Sequence, residues 1–157
     1  MTLRLVKFKP EHAVFIAQDM WARGEEEARI FGLTAIDDIL PMLDRIEHAA
    51  TFSYLGTPYA ITGAVKAQED VYHTVFMARP QFEDHLRAGT RMLKKHLRAQ
   101  AAEKPTADIV AFSACPHPDA EKWFTLLGFE PVSSSGPVRT YKFRRKDRGD
   151  VSPETQN

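Results

Sequence analysis

The chain has 157 residues, enough to bury a hydrophobic core without help from a metal or a disulfide. Its 21 basic and 21 acidic residues give a formal net charge of zero, which excludes a global field that would attract nucleic acid or an anionic membrane. Cys115 is the only cysteine, so an internal disulfide is excluded, and no apolar stretch approaches the roughly 20 residues of a membrane span. We therefore expect a soluble, intracellular protein.

The N-terminal segment predicts a strand followed by a helix. Residues 3–8 alternate approximately between apolar and basic side chains before Pro10, a pattern unlike a signal peptide. From Glu11 onward the apolar residues recur at helical spacing. The polar segment 23–30 is interpreted as the solvated end of this helix, which stops near Gly32.

A second helix is predicted after Thr34, which has the spacing of a capping box to Asp37. Pro41 lies inside the pattern, so we expect a kink there or a helix that starts late. The predicted apolar face consists of Ile36, Ile39, Leu40, Leu43 and Ile46.

Three strands are predicted next, at residues 51–55, 59–66 and 71–77. Val, Ile, Thr, Tyr and Phe dominate these runs, as is typical of strands. Because the turns between them are short, we expect an antiparallel meander.

The strongest helical pattern in the chain spans residues 81–103, with an apolar stripe and basic residues on the other faces. The short apolar run 109–112 follows this helix, which predicts a buried strand parallel to the preceding one. Residues 119–127 predict a short helix that Gly128 ends in a left-handed conformation.

Residues 130–133 and 138–144 predict two final strands. The complete order is β-α-α-β-β-β-α-β-α-β-β, which predicts an α/β (α+β) fold with a mixed central sheet. We expect one domain over residues 1–144. Residues 145–157 are polar and without periodicity, and we expect them to form a disordered tail.

This element order and one local motif resemble the GNAT N-acetyltransferase fold over residues 1–144. The motif is Ala120-Glu-Lys-Trp-Phe-Thr-Leu-Leu-Gly-Phe129, which matches a helix of the form A-x-x-(apolar)-(aromatic)-x-x-x-G-F in that fold. The glycine ends the short helix sharply, and Phe129 anchors the next strand in the core. The resemblance implies a GNAT-like mixed central sheet.

A narrower resemblance is to small acetyltransferase-like proteins of tailed phages, the group that includes internal virion protein A. The shared features are an acidic first helix, Ser53, the turn Gly56-Thr-Pro-Tyr-Ala60, Gly63, and a long charged helix without a glycine-rich opening. This resemblance implies a location in the host bacterial cytoplasm, with packaging in the virion left open.

Acetyltransferases of this fold bind the pyrophosphate of acetyl-CoA with a loop of the form [R/Q]-x-x-G-x-[G/A] at a helix N-terminus. Here residues 78–91 hold a single glycine inside a helical pattern, with Glu83 and Asp84 near the helix start, which favours an ordinary helical turn. A degenerate site for acetyl-CoA is left open. Its candidate cofactor-binding residues are Met77, Arg79, Arg87, Gly89 and Thr90.

No catalytic residue is assigned from the sequence. The resemblance implies a tyrosine general acid at the position of Phe124, whose side chain cannot donate a proton. Cys115 and His117 leave a nucleophile pair open, although a loop thiol is the simpler interpretation. Glu25–Glu27 could place a carboxylate near the substrate cleft, but a solvated helix face is the favoured interpretation.

No metal site is predicted, because the six histidines show no helical zinc spacing. His73 on a central strand favours a hydrogen-bonded core residue over a base. Basic residues at 139, 142, 144, 145, 146 and 148 form the one local charge asymmetry. Protection of an edge strand explains this run adequately, and it does not favour nucleic acid.

Three functions remain open. The favoured hypothesis is a non-catalytic, virion-associated accessory protein that binds a protein partner, either a virion component or a host protein. Its contact surface would be the groove between the central strands or the basic final hairpin. The alternative is a divergent acetyl-CoA-dependent N-acyltransferase that acts on an amine. A third hypothesis is a module that binds a small ligand or nucleotide, and no membrane partner is expected.

Overall fold

Seven strands form one sheet with the spatial order β1-β2-β3-β4-β5-β7-β6. The computed structural model describes residues 2–115 and 117–145, with the backbone alone at Ala35 and Ile36. The strands are β1 (Arg4–Lys7), β2 (Ile46–Tyr54), β3 (Thr57–Gln68), β4 (Val71–Ala78), β5 (Asp108–Ser113), β6 (Phe129–Ser135) and β7 (Val138–Phe143). The helices are α1 (Pro10–Ala17), α2 (Ala22–Ile30), α3 (Leu40–Met42), α4 (Leu86–Glu103) and α5 (Asp119–Leu127).

The predicted fold class is confirmed, and so is the antiparallel meander of β2, β3 and β4. The β2–β3 turn is tight because Leu55 and Gly56 both have positive φ, at 52° and 82°, which suits the right-handed twist of a hairpin. Strand β5 lies parallel to β4, as expected from the intervening helix. The pairing of β4 with β5 is the one parallel pairing among the described strands.

The N-terminal helical region differs from its prediction. The single helix expected from Glu11 to about Gly32 is two helices, α1 and α2, separated at residues 18–21. The helix is interrupted there because the backbone N–H of Trp21 donates to the carbonyl of Ala78 at 2.9 Å. This hydrogen bond holds the segment between α1 and α2 against the end of β4. The break turns α2 so that one of its faces lies over the sheet.

The predicted second helix is confirmed as a helical segment over residues 35–45, but this segment is irregular and ends before Ile46. Residues 35–39 form one π-helical turn, α3 lasts three residues, and β2 already begins at Ile46. Thr34 still caps this segment, since its hydroxyl accepts from the N–H of Asp37 at 3.1 Å. In return, the carboxylate of Asp38 accepts a hydrogen bond from the backbone N–H of Thr34 at 2.8 Å. The wider π turn accounts for a partner one residue later than the usual capping box.

The helix predicted over residues 81–103 is present, but its α-helical part starts later than predicted. Residues 80–85 form a 3-10 turn, and α4 begins at Leu86. The ring of Phe82, which is fully buried, lies directly against Gly89, so that any side chain at position 89 would overlap it. The entry to the helix is therefore packed by a ring against a glycine.

Two apolar clusters fill the two faces of the sheet. The larger one joins α4 and α5 to the sheet and includes Phe52, Phe82, Leu93 and Tyr141. The smaller one packs α1 against β3 and β4. No helix in the described part of the chain is long and apolar enough to cross a membrane.

Arg145, assigned to the tail from the sequence, donates hydrogen bonds to the carbonyls of Ala101, Lys104 and Ala107 at the end of α4. Gly128 ends α5 with φ of 107°, as predicted. The disorder expected for the remaining tail concerns residues 146–157, which lie outside the described residues.

Candidate functional site

A cavity opens where the two parallel central strands move apart. Hydrogen-bonded pairing between β4 and β5 is confined to Val71–His73 opposite Asp108–Val110. Beyond this point β5 continues to pair with β7 on its other side, while β4 continues to pair with β3. The cavity between them has a volume of about 200 Å³ and is bounded by α2 on one side and α5 on the other.

The backbone of β4 faces this cavity with an unpaired strand edge. The N–H of Arg79 donates to the carbonyl of Tyr59 at 2.8 Å, which makes these two residues a hydrogen-bonded pair with β3. Residues alternate along an antiparallel strand, so the residue next to a hydrogen-bonded one points its backbone groups to the other edge of the strand, and so does every second residue from there. Ala78 and Phe76 therefore point their N–H and carbonyl groups towards β5, and the Ala78 carbonyl accepts from Trp21. An extended ligand with amide groups could pair with this edge as a strand does.

Aromatic rings form the wall opposite α2. Phe76 contacts Trp123 edge to face at a centroid distance of 5.5 Å, and Trp123 contacts Phe124 at 5.6 Å. The indole N–H of Trp123 donates to the hydroxyl of Thr90 at 2.9 Å, which fixes the ring against α4. These rings keep the inner part of the cavity apolar.

Glu27 places a carboxylate in this apolar cavity. It lies three residues after Gly24, at helical spacing, and Ala28 lies four residues after Gly24; all three residues line the cavity. Burial raises the pKa of Glu27 to about 7, although hydrogen bonds from Ser113 and from the backbone of Ala114 act in the opposite direction. The hydroxyl of Ser113 donates to its Oε2 atom at 3.4 Å. A carboxyl group with this pKa can accept and release a proton near neutral pH.

Two ion pairs join α2 to the start of α5 beside the cavity. Arg23, which lines the cavity, contacts Asp119 at 2.8 Å. This hydrogen bond raises the pKa of Arg23 and lowers the pKa of Asp119. Glu26 and His117 approach to 3.7 Å. The neighbouring acids of α2 therefore have different surroundings, since Glu26 reaches the exterior pair and Glu27 reaches the cavity.

Two buried hydroxyls near the site have no hydrogen-bond partner among the described residues. One is Thr74 Oγ1 in the cavity wall, and the other is the Tyr141 hydroxyl. The Tyr141 ring stacks on Phe124 at 4.4 Å with an interplanar angle of 10°. Because an unsatisfied buried polar group is costly, Thr74 is a natural contact for a polar group of a ligand.

The structure brings one of the five predicted cofactor-binding residues, Met77, to the cavity. Arg79 instead binds Asp19 at 3.2 Å. Gly89 lies under the Phe82 ring, as described above, and Arg87 is exposed. The Thr90 hydroxyl donates to the Leu86 carbonyl at 2.6 Å and accepts from Trp123. The assignment of these five residues to a cofactor stays a prediction.

The remaining sequence candidates are distributed around the cavity. Cys115 is half-buried and lines it, but His117 is paired with Glu26, and no hydrogen bond joins the two where the chain is described. His73 contacts the Phe112 ring at 4.7 Å, and burial lowers its pKa. Across residues 2–115 and 117–145, no cluster of three His, Cys, Asp or Glu side chains could hold a metal ion.

The sequence places Glu27 among three acids for which it favours a solvated face, and it gives no indication of Ser113. The signal for Glu27 was its helical spacing from Gly24 and Phe31, which lie three residues before it and four residues after it and line the cavity. This signal was hidden because the sequence predicted one helix where the structure has two. Ser113 had no local signal, since its role depends on contact with a helix 86 residues away.

No protein-family model and no curated protein matches the chain. Solved structures do match it. The alignment with the GNAT domain of PAT from S. lividans covers 90% of this chain and 88% of that domain, with a TM-score of 0.67 and 14% sequence identity. The alignment with the ribosomal-protein-S18-alanine N-acetyltransferase from Escherichia coli covers 90% of this chain and 93% of that enzyme, with a TM-score of 0.63 and 15% sequence identity.

A third structure, the paia N-acetyltransferase from Thermoplasma acidophilum in complex with coenzyme A, covers 92% of this chain and 99% of its own. Its TM-score is 0.64 and its identity is 10%. At such low identity the likeness concerns the fold alone. It agrees with the fold expected from the sequence and with the mixed seven-stranded sheet of the structure. The chain has the GNAT fold.

Proposed function

We propose that this protein is an acyl-CoA-dependent N-acyltransferase that acts on an amine, with Glu27 as its general base. The observation that carries the proposal is the carboxyl group of Glu27, with a pKa of about 7, inside the cavity between the diverging strands. A base with a pKa near the working pH combines a useful ionised fraction with useful proton affinity. The fold makes acyl transfer a reasonable class of reaction, and the site residue gives it a mechanism.

The role of Glu27 follows from the chemistry of amines. An alkylamine is protonated at neutral pH, so it gives this first proton to water before it reacts, and its nitrogen must lose a second proton as it attacks the acyl group. Ionised Glu27 takes that proton from the nitrogen, and the Ser113 hydroxyl and the Ala114 N–H orient the carboxylate that receives it. Acyl-CoA, when bound, supplies a thioester whose C–S bond breaks as the C–N bond forms, with the sulfur leaving as a thiolate.

The inner part of the site fits the acyl-bearing arm of this coenzyme. The β4 edge offers the N–H groups of Phe76 and Ala78 to an extended chain with amide groups. The unpartnered Thr74 hydroxyl lies in the same wall. The surrounding aromatic rings exclude water from the acyl group, which limits its hydrolysis.

The outer part does not resemble a pyrophosphate site. The turn before α4 carries the exposed acids Glu83 and Asp84, and the one glycine nearby is packed against Phe82. We therefore expect the phosphates to add little to coenzyme affinity. The resemblance implies a proton donor for the leaving sulfur at position 124, where this chain has phenylalanine. We therefore expect the sulfur to depart unassisted, which a thiol pKa near 8.5 permits at reduced rate.

The second candidate is a non-catalytic accessory protein, of the kind expected from the resemblance to phage proteins. The packing of Phe82 on Gly89 and the phenylalanine at position 124 favour it. In this case a protein partner, a virion component or a host protein, would contact the cleft between β4 and β5. The two candidates differ in their response to a thioester.

Incubation of the full chain with acetyl-CoA and a panel of primary amines, with thiol release as the readout, separates the candidates. The acyltransferase proposal expects amine-dependent thiol release that Glu27→Gln suppresses and Glu26→Gln leaves within about twofold, since Glu26 faces the exterior ion pair. It also expects acetyl-pantetheine, which lacks the nucleotide, to act with a kcat/KM within about tenfold of acetyl-CoA. Absence of thiol release with every amine, together with no thermal shift by acetyl-CoA, would leave the accessory protein as the better account.

A further inference from the structure

The basic residues of the C-terminal hairpin serve several different purposes. Arg139 lies 4.0 Å from Glu121, and Lys142 lies 3.2 Å from Asp108. Arg145 binds the carbonyls at the end of α4. Arg144 forms no ion pair with any acid in the described part of the chain. The apparent basic stripe of the sequence thus leaves Arg144 without an acidic partner among the described residues.

Helix α4 brings two more cations to the same place. Lys94 and Arg98 are four residues apart, so they lie on one face of the helix, and neither is paired with a described acid. Together with Arg144 they line a groove of about 580 Å³ between α4, the end of α5 and the end of β7. No acidic side chain is among the described residues that line it.

The end of α4 would ordinarily repel an anion, because the carbonyls of a helix C-terminus carry partial negative charge. Arg145 removes this obstacle. Its guanidinium donates to the Ala101 carbonyl at 2.7 Å and to the Lys104 carbonyl at 2.6 Å, and it also reaches Ala107. The groove therefore has a positive rim over a neutralised helix end.

The two cavities are distinct. Leu127 is the one described residue that lines both, and its side chain is fully buried between them. The groove lies at the C-terminal half of α4, whereas the turn considered for the coenzyme phosphates lies before its first residue. An anion in the groove would not occupy the acyl-transfer cavity.

We propose that the groove lined by Lys94, Arg98 and Arg144 binds a small anion that carries two or more phosphate groups. Three cations that line one groove, with no carboxylate among its described lining residues, match a ligand with several negative charges. The volume lies within the range of small-molecule sites. Nucleic acid fits less well, because the one aromatic residue in the lining, Phe143, is buried and offers no stacking surface.

Calorimetric titration of the full chain with inorganic tripolyphosphate tests this proposal. We expect one site per chain, with affinity that falls as ionic strength rises. Arg98→Ala and Arg144→Ala should each weaken binding about tenfold or more, since a charge-assisted hydrogen bond is lost in each. Lys95→Ala is the matched control, because it removes the same charge from an exposed neighbouring position of α4 that does not line the groove.

The proposal is overturned if tripolyphosphate does not bind at low ionic strength, or if Lys95→Ala weakens binding as much as Arg98→Ala. It is overturned as well if orthophosphate binds as tightly as tripolyphosphate, since the groove would then not recognise multiple phosphates. Binding that survives in Glu27→Gln separates this site from the acyl-transfer cavity. Circular dichroism of each variant verifies that the fold is retained.

Discussion

The two ends of the β4–α4 unit have opposite characters. At the β4 end, the strands diverge, a strand edge is left unpaired, and a half-buried carboxyl group faces the opening. At the α4 end, side chains fill the space, since Phe82 packs on Gly89 and the Thr90 hydroxyl donates a hydrogen bond to the Leu86 carbonyl. A GNAT fold can therefore keep an open cleft between its diverging strands while the part next to the helix is filled by its own core.

The largest expected effect concerns the open end. Glu27→Gln keeps the shape of the side chain but removes its ability to accept a proton. We expect the turnover number for acyl transfer to an amine to fall by about 10²- to 10⁴-fold at neutral pH, the usual contribution of a general base. Steady-state kinetics measure the loss. A turnover number within threefold of the parent protein would remove Glu27 from the mechanism.

The closed end should respond in stability. Phe82 is fully buried and contacts Trp21, Phe52 and Phe76 as well as Gly89. We expect Phe82→Ala to lower the free energy of unfolding by about 3 to 5 kcal/mol, because it removes a large ring and leaves a cavity. Denaturant unfolding followed by circular dichroism measures this value. A loss below about 1 kcal/mol would mean that the ring is not a core element.

Gly89→Ala tests the same contact from the other side. Alanine favours a helix over glycine by about 1 kcal/mol, so helix propensity alone predicts a gain in stability. We expect a net loss of about 1 to 3 kcal/mol, because the new methyl group overlaps the Phe82 ring. Phe82→Leu should rescue part of this loss in the double variant. A stabilised single variant would contradict the packing described for the helix entry.

The smallest effect is the dependence of stability on pH. The folded state holds the proton of Glu27 more tightly than the unfolded state does, since burial raises its pKa to about 7 from 4.5. The contribution of this group to stability is therefore present below pH 4.5 and is lost as pH rises to about 7. We expect Glu27→Gln to match the parent protein at low pH and to exceed it by about 1 to 2 kcal/mol above neutrality, allowing for solvent screening. Thermal unfolding at a series of pH values measures the difference, and equal curves throughout would contradict the burial of the carboxyl group.

The sequence predicted the features that depend on local chemistry. The strand runs of the meander, the apolar strand β5 and the glycine that ends α5 each have a pattern within a few residues, and the structure confirms them. The predicted second helix extended one residue too far, because an apolar residue at position 46 fits a helix as well as the start of a strand. Tertiary contacts decide between them, and Ile46 pairs with Val65 across the sheet.

The candidate site depends on contacts that no local pattern reveals. Ser113 reaches Glu27 because the break at residues 18–21 rotates α2 onto the sheet. The break itself depends on Trp21 bonding to Ala78, far along the chain. Likewise, the pairing of Phe82 with Gly89 crosses from a 3-10 turn to a helix that the sequence presents as one element. The spacing of residues along α2 could have indicated Glu27, but only once the start of that helix was known.

The pH dependence of kcat/KM for acyl transfer, in the parent protein and in Glu27→Gln, tests the central claim most directly. With an amine whose own pKa lies above the range studied, the account predicts a rise with pH that bends near 7, where Glu27 loses its proton. Glu27→Gln should lack this bend while retaining a residual rate. A bend near 7 that persists unchanged in Glu27→Gln would assign the proton transfer to another group and contradict the account.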